Sequence, residues 1–204
     1  GNRVLFLETL ETALEQRSNQ PVSVLMLNID RFKVVNESLG HTAGDELLIA
    51  LARRLLTCVG ERCALARLSG DEFALLVRGP TSAIDVAETV HETLRQPFTL
   101  SGRQIHVTAS IGIASTLPGS SETFGEDLIR DADFAMHRAK SKGRMRTECY
   151  QRGAHTQARY RFQLETDLRR AIEREELRVH YQPEIDVERG EVVGFEALVR
   201  WEHP

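Results

Sequence analysis

Ala64-Leu65-Ala66-Arg67-Leu68-Ser69-Gly70-Asp71-Glu72-Phe73-Ala74-Leu75-Leu76-Val77 decides how the chain is read. Two short apolar runs flank a Ser-Gly-Asp turn, so the stretch reads as two strands buried on both faces and joined by a tight hairpin with Asp71 and Glu72 at its tip. Ser-Gly-Asp is ordinary turn vocabulary, but adjacent carboxylates on a rigid strand end also suit a metal or a phosphate. Upstream, Leu25-Met26-Leu27-Asn28-Ile29-Asp30-Arg31-Phe32-Lys33 runs as a buried strand into an oxygen-rich turn, and Asn36, His41 and Asp45 follow on helical ground. Hard cations take oxygen ligands from more than one segment, which a second oxygen-bearing strand end supplies.

The rest of the chain is arranged around these two strand ends. Val4 to Arg17 carries apolar residues at helical spacing and ends in the breaker Ser18-Asn19-Gln20-Pro21, after which Val22 to Leu27 is a strand. Phe32 to Leu39 reads as a short helix closed by Gly40, and Thr42 as the cap of a longer one with Leu47, Leu48, Leu51, Leu55 and Leu56 on one face. Ser82 to Arg95 is helical, Phe98 to Leu100 pairs through a Ser-Gly turn with a longer strand Ile105 to Ala114, and Glu126 to Lys142 is a helix ended by Gly143. This order predicts an α+β sandwich on a mainly antiparallel sheet. Gly153 breaks the pattern; Thr156 to Arg174 is then a charged amphipathic helix with Leu164, Leu168, Ala171 and Ile172 on one side. It serves either as the first helix of a next domain or as a connector between two domains.

Bulk properties narrow the partners. The chain has 204 residues, 41% hydrophobic and 27% charged, with a formal net charge of -4. That balance leaves no basic footprint for duplex nucleic acid and favours a small anionic ligand in a locally positive pocket. Cys58, Cys63 and Cys149 show no paired or metal-like spacing, and their odd number fits a reducing cytoplasm. No apolar run reaches the about twenty residues needed to span a bilayer, and no signal-peptide pattern opens the chain. A sensor or membrane anchor would lie outside these residues.

Taken in order, Asn28-Ile29-Asp30-Arg31-Phe32-Lys33-Val34-Val35-Asn36-Glu37-Ser38-Leu39-Gly40-His41-Thr42-Ala43-Gly44-Asp45 and Ser69-Gly70-Asp71-Glu72-Phe73 resemble the GGDEF domain of diguanylate cyclases. Ala132-Asp133-Phe134-Ala135-Met136-His137-Arg138-Ala139-Lys140-Ser141-Lys142-Gly143-Arg144 is similar to that family's closing helix. Further on, Leu177-Arg178-Val179-His180-Tyr181-Gln182-Pro183, the turn Glu188-Arg189-Gly190 and Phe195-Glu196-Ala197-Leu198-Val199-Arg200-Trp201 look like the opening strands of an EAL domain, a family that hydrolyses cyclic di-GMP. The expectation is a piece of a tandem GGDEF-EAL protein. Residues 1–152 would be a GGDEF domain truncated at its N-terminal end, and 153–204 a connector helix with the first hairpin of an EAL domain. The implied fold is the ferredoxin-like palm of the nucleotide cyclases.

In the reaction the resemblance implies, two GTP molecules held head to tail by two domains each use a 3′-hydroxyl to attack the other's α-phosphate. GTP, a second GGDEF domain in a homodimer and the EAL domain in cis are therefore the implied partners. Asp71, Asn28 and the backbone carbonyl of Ile29 match positions for Mg²⁺ (or Mn²⁺); Asp71 could also accept the hydroxyl proton, with Glu72 and Lys33 as further catalytic groups. Lys33, Lys140 and Arg144 match phosphate contacts. Asp45 could accept both adjacent N–H donors of guanine, and Asn36 could donate and accept on the same edge. His41 matches a substrate position, although a histidine there also serves as a local hydrogen-bond partner, and Gly70 lets backbone approach phosphate. In a complete EAL domain Glu196 would be a metal ligand, with Gln182 and Arg200 contacting ligand.

Two departures bear on activity. Family members that make cyclic di-GMP usually have aspartate where this chain has Asn28, and an amide lacks the charge that offsets dehydration of Mg²⁺. Ser69 stands for the first glycine and would crowd the nucleotide if its backbone required a positive φ. Gly60 and Cys63 occupy positions where the family's inhibitory product site has arginine and aspartate, so feedback by that route is not expected. Three readings stay open: a GTP-binding regulator of the EAL domain with weak or no turnover, a working cyclase, and a dimerisation or docking module without nucleotide.

Overall fold

Every residue of Val22–Ile29 is buried, because this strand is the middle of a five-stranded sheet covered on both faces by helices. The computed structural model describes residues 1–17, 20–60, 63–79, 81–100, 102–116, 124–151, 168, 171–172, 174–186 and 190–202. They fall into two units, Gly1–Tyr150 and Gln151–Pro204. The described elements of the first are, in chain order, α1 (Arg3–Glu15), β1 (Val22–Ile29), α2 (Phe32–Leu39), α3 (His41–Val59), β2 (Cys63–Ser69) and β3 (Glu72–Arg78). Next come α4 (Ala83–Leu94), β4 (Phe98–Leu100), β5 (Arg103–Ile105), β6 (Ala109–Ser115), α5 (Gly125–Ser141) and β7 (Thr147–Cys149).

The main sheet has the order β2-β3-β1-β6-β7, antiparallel except for the parallel pair β6-β7. Period-two alternation divides β1 between two cores. Leu25, Leu27 and Ile29 meet Leu47, Leu51 and Leu55 of α3 and Val90 of α4. Val22, Val24 and Met26 meet Phe6 and Leu10 of α1 and Leu128, Ala132 and Met136 of α5. Each such leucine or phenylalanine contributes about 1.5–3 kcal/mol of burial. Gly112 of β6 allows α5 to lie against the sheet, since a Cβ there would overlap the carbonyl of Ala132 and the amide of Met136.

The α+β sandwich with a mainly antiparallel sheet is as the sequence predicts, with local corrections. The expected strand from Ile105 to Ala114 is broken: β5 stays in a small sheet with β4, and β6 starts afresh in the main sheet. Ile105, Val107, Ala109 and Ile111 keep alternating straight through the break, so it carries no periodicity signal. Thr42 is not a cap; α3 begins at His41 after Gly40, whose positive φ of 86° lets it end α2 and start α3 at once. Leu56 faces out, 54% exposed, one position off the buried stripe of Leu47, Leu51 and Leu55. Strand β2 is an edge and only partly buried, unlike β3. The short β7 follows a polar turn and carries too few residues for a pattern to register.

In the second unit β8 (Leu177–Ile185) and β9 (Val192–Trp201) form an antiparallel hairpin. One face carries Val179, Tyr181, Ile185, Phe195 and Val199, and the other Arg178, His180, Gln182, Glu196 and Arg200. Glu176 anchors the base, accepting from Trp201 Nε1 at 3.0 Å and, through its carbonyl, from the Glu202 amide at 2.8 Å. Most of the helix expected over Thr156 to Arg174 lies outside the described residues. No described helix is long and apolar enough to cross a membrane.

Candidate functional site

Strand register assembles the oxygen donors. Asn28 stands opposite Glu72 on β3 and Ser110 on β6, and partners directly opposite share a face. That face is the one carrying Val24 and Met26, against α5. One residue on, the Ile29 amide donates to the carbonyl of Asp71 at 3.3 Å, tying the end of β1 to the hairpin tip. Gly70 takes a φ of 41° in that tip, and Arg67 Nε donates to its carbonyl at 2.8 Å. Thus Asn28, Ile29, Asp71 and Glu72 are neighbours, with Asn28 only 7% exposed.

The donor set is oxygen-rich but sparsely charged. Among the described residues no three His, Cys, Asp or Glu side chains come together as ligands. A hard cation here would rely on the Asn28 amide, the Ile29 carbonyl and the Asp71 carboxylate, a set of the right chemical type with one charge fewer than an aspartate would bring. Ser69 is not among the residues with positive φ, so its replacement of glycine strains nothing. Its hydroxyl instead donates to Glu72 Oε2 at 2.7 Å.

Helices α2 and α3 carry the residues that the resemblance assigns to the base. Gly44 brings α3 so close to α2 that a Cβ would overlap Asn36 Oδ1, and this amide oxygen is buried without a hydrogen-bond partner. An orphaned acceptor of that kind costs free energy unless a donor arrives. Asp45 follows Gly44 directly and is exposed, as is His41 at the first position of α3. Lys33 lies at the start of α2 in a solvent-exposed pair with Glu37 at 3.5 Å.

The cationic side comes from the end of α5. Arg138 and Lys142 are both engaged by Glu148, at 3.1 and 2.8 Å, whereas Lys140 and Arg144 have no ion pair among the described residues. Burial raises the Asp133 carboxyl above its ordinary range; His137 and Lys140 oppose the shift and Glu72 adds to it. After α5 the chain turns through Gly143, Arg144 and Met145, all with positive φ (112°, 62° and 49°).

Asp30, Thr108, Ser110 and Asp133 escape a reading by motif. Asp30 is 8% exposed and accepts from Thr108 Oγ1 at 2.6 Å, Ser110 Oγ at 2.7 Å and the Met145 amide at 3.1 Å. The signal available in sequence was its spacing, two residues beyond Asn28 and so on the same side of the extended chain. A cleft of about 520 Å³ opens beside this network, bounded by Asp30, Arg31, Val34, Thr108, Arg144 and Met145 among others, and does not include Asp71, Asn36 or Asp45. In the second unit Gln182 and Glu196 are opposite one another, and Arg200, four residues along β9 from Glu196, shares their face.

Known proteins resemble this chain along its whole length. The family model described as "Diguanylate cyclase, GGDEF domain" matches residues 1–146, and the EAL domain model matches residues 165–204. The bifunctional diguanylate cyclase/cyclic di-GMP phosphodiesterase MucR of Pseudomonas aeruginosa is 41% identical over 207 residues, covering 100% of this chain and 30% of MucR. The cyclic di-GMP phosphodiesterase NbdA of the same organism is 34% identical over 100% of this chain and 26% of its own. The chain thus spans about a third or less of these curated relatives. The crystal structure of the GGDEF domain of YfiN (TpbB) from P. aeruginosa superimposes with a TM-score of 0.69 at 33% identity, over 74% of this chain and 96% of that one.

Proposed function

The chain belongs to the GGDEF family of diguanylate cyclase domains, followed by the start of an EAL domain, and on that premise we propose that its GGDEF part binds GTP and regulates the EAL domain in cis, with weak or no cyclase activity. The observation that carries this reading is the pairing of Asn28 with Glu72 beside the Asp71 tip. It keeps the oxygen donors of two strand ends together while leaving an amide where a carboxylate would offset the dehydration of Mg²⁺. Asn28, the Ile29 carbonyl and Asp71 would hold Mg²⁺ (or Mn²⁺), which when bound screens triphosphate charge.

The rest of the pocket is intact in type. The exposed Asp45 carboxylate can accept from both adjacent N–H donors of guanine, and the Asn36 amide of α2 can donate and accept on the same edge. Lys33, Lys140 and Arg144 supply positive charge for phosphate, and Gly70 leaves backbone accessible at the tip. Glu72, engaged by Ser69, orders the hairpin, and His41 is exposed at the start of α3 beside the residues assigned to the base. Cyclisation needs a second GGDEF domain to present the other GTP. In the EAL segment, Glu196 would ligate metal beside Gln182 and Arg200 once the domain is complete.

Titration of GTP with Mg²⁺, read by calorimetry and followed by nucleotide chromatography, separates the alternatives. Saturable binding with little product supports the regulator; binding with abundant cyclic di-GMP supports an active cyclase; no binding supports a docking module. In the whole parent protein, GTP should change the rate of cyclic di-GMP hydrolysis and Asp71→Ala should abolish the change.

A further inference from the structure

We infer that Asp30 is a positioning residue for the triphosphate: it sets the place of Arg144 relative to the metal-side donors Asn28 and Ile29. The inference rests on the reading above, in which Arg144 meets phosphate. Three neutral donors from two other segments converge on this one buried carboxylate. Thr108 Oγ1 and Ser110 Oγ reach it from the start of β6 and its approach, and the Met145 amide from the turn after α5. Its own amide donates to the Thr108 carbonyl at 2.8 Å, so Asp30 and Thr108 are joined through both backbone and side chain.

What Asp30 holds is a segment that would not hold itself. Arg144 and Met145 are consecutive non-glycine residues in the left-handed region, where a Cβ meets the backbone. Such a conformation persists only when neighbouring contacts over-determine it. Here the Arg144 amide to the Ala139 carbonyl at 3.0 Å fixes the turn to the helix, the Ile111 amide to the Arg146 carbonyl at 3.0 Å fixes its far side to β6, and Met145 to Asp30 fixes it beside the end of β1. Of these, the Asp30 contact is the side-chain one made next to the metal-side donors, because Asp30 follows Ile29 directly on the chain. Without it the Arg144 side chain keeps its charge and loses its fixed distance to Asn28 and Asp71.

A positioning role differs from a charge or metal role in what asparagine can do. In the Asp30→Asn variant, an amide oxygen placed where Oδ2 now lies still accepts from Thr108 and Met145, and the new NH₂ donates to the Ser110 hydroxyl, which can turn to accept. The test is therefore GTP and GMP titration with Mg²⁺ into the 204-residue chain and its Asp30→Ala, Asp30→Asn, Arg144→Ala and Asp30→Ala/Arg144→Ala variants. Asp30→Ala should weaken GTP about tenfold, as Arg144→Ala does, leave GMP within about twofold, and add nothing further in the double variant. Asp30→Asn should stay within about twofold of the native chain. Additive losses, equal loss for GMP, or an asparagine variant as damaged as the alanine one would each overturn the inference. Should Asp30→Ala fail to fold, Thr108→Val removes one donor from outside; a GTP-selective loss of a few-fold supports the inference and none overturns it. If the native chain does not bind GTP, the functional reading itself fails, a result distinct from all of these.

Discussion

On the proposed reading, a single atom type at Asn28 decides how well the site holds a metal. The residue is nearly buried between Glu72 and Ser110, so its amide cannot be exchanged for a water-borne charge from solvent. Asn28→Asp should tighten Mg²⁺-GTP binding and raise cyclase activity in the dimeric form, while like-charge repulsion with Asp71 and Glu72 makes the metal-free protein slightly less stable. Calorimetry, product assay and thermal unfolding on one sample test all three; unchanged metal affinity would remove Asn28 from the metal site. At the base site, Asp45→Ala should cost GTP about 1.5 to 3 kcal/mol and ATP much less, since only guanine offers paired donors to a carboxylate. Equal loss for both nucleotides would count against the assignment. Asn28 and Asp45 were picked out in the sequence by motifs at fixed spacing. Asp30 was not: its meaning lies in contacts with Thr108, Ser110 and Met145, far away in sequence.

Among the elements, α5 and α4 carry the most specific expectations. Gly112→Ala would drive a methyl into the α5 backbone, which cannot yield as a side chain can, so a loss of about 3 kcal/mol is expected in denaturant unfolding. A loss under about 1 kcal/mol would mean that α5 can lift from the sheet. In α4, burial, reinforced by Arg95 and opposed by Asp30, holds His91 below its ordinary range while its Nε2 meets Thr147 Oγ1 at 3.1 Å. The unfolded chain then takes up the proton more readily than the folded one. The histidine term is favourable and constant above the unfolded value of 6.5, and stability falls as pH drops from there toward the lower folded value. His91→Gln should flatten that segment of the stability-pH curve; an unchanged slope would place its origin elsewhere. The helices were legible from their stripes and from the stops at Gly40 and Gly143. The division of β5 from β6 was not, because strand pairing partners are chosen by the tertiary sheet rather than by local pattern.

For the whole molecule, the two-sided burial of β1 and the β2-β3-β1-β6-β7 order place both oxygen-bearing strand ends at one end of one sheet. The two runs Leu25–Ile29 and Phe73–Val77 already implied that scaffold, whereas the edge position of β2 and the parallel β7 depend on the full sheet. The EAL hairpin was legible too, and its faces divide into a mainly apolar and a mainly polar row. On the proposed reading, a pocket that keeps its base-reading and phosphate-reading groups yet lacks one metal-side charge should bind far better than it reacts. Calorimetric titration of GTP with Mg²⁺ into this chain, with the nucleotide recovered and chromatographed, addresses that directly. Expected is saturable binding, tighter for GTP than for ATP, with GTP recovered largely intact; rapid conversion to cyclic di-GMP, or no binding of GTP at all, would contradict it.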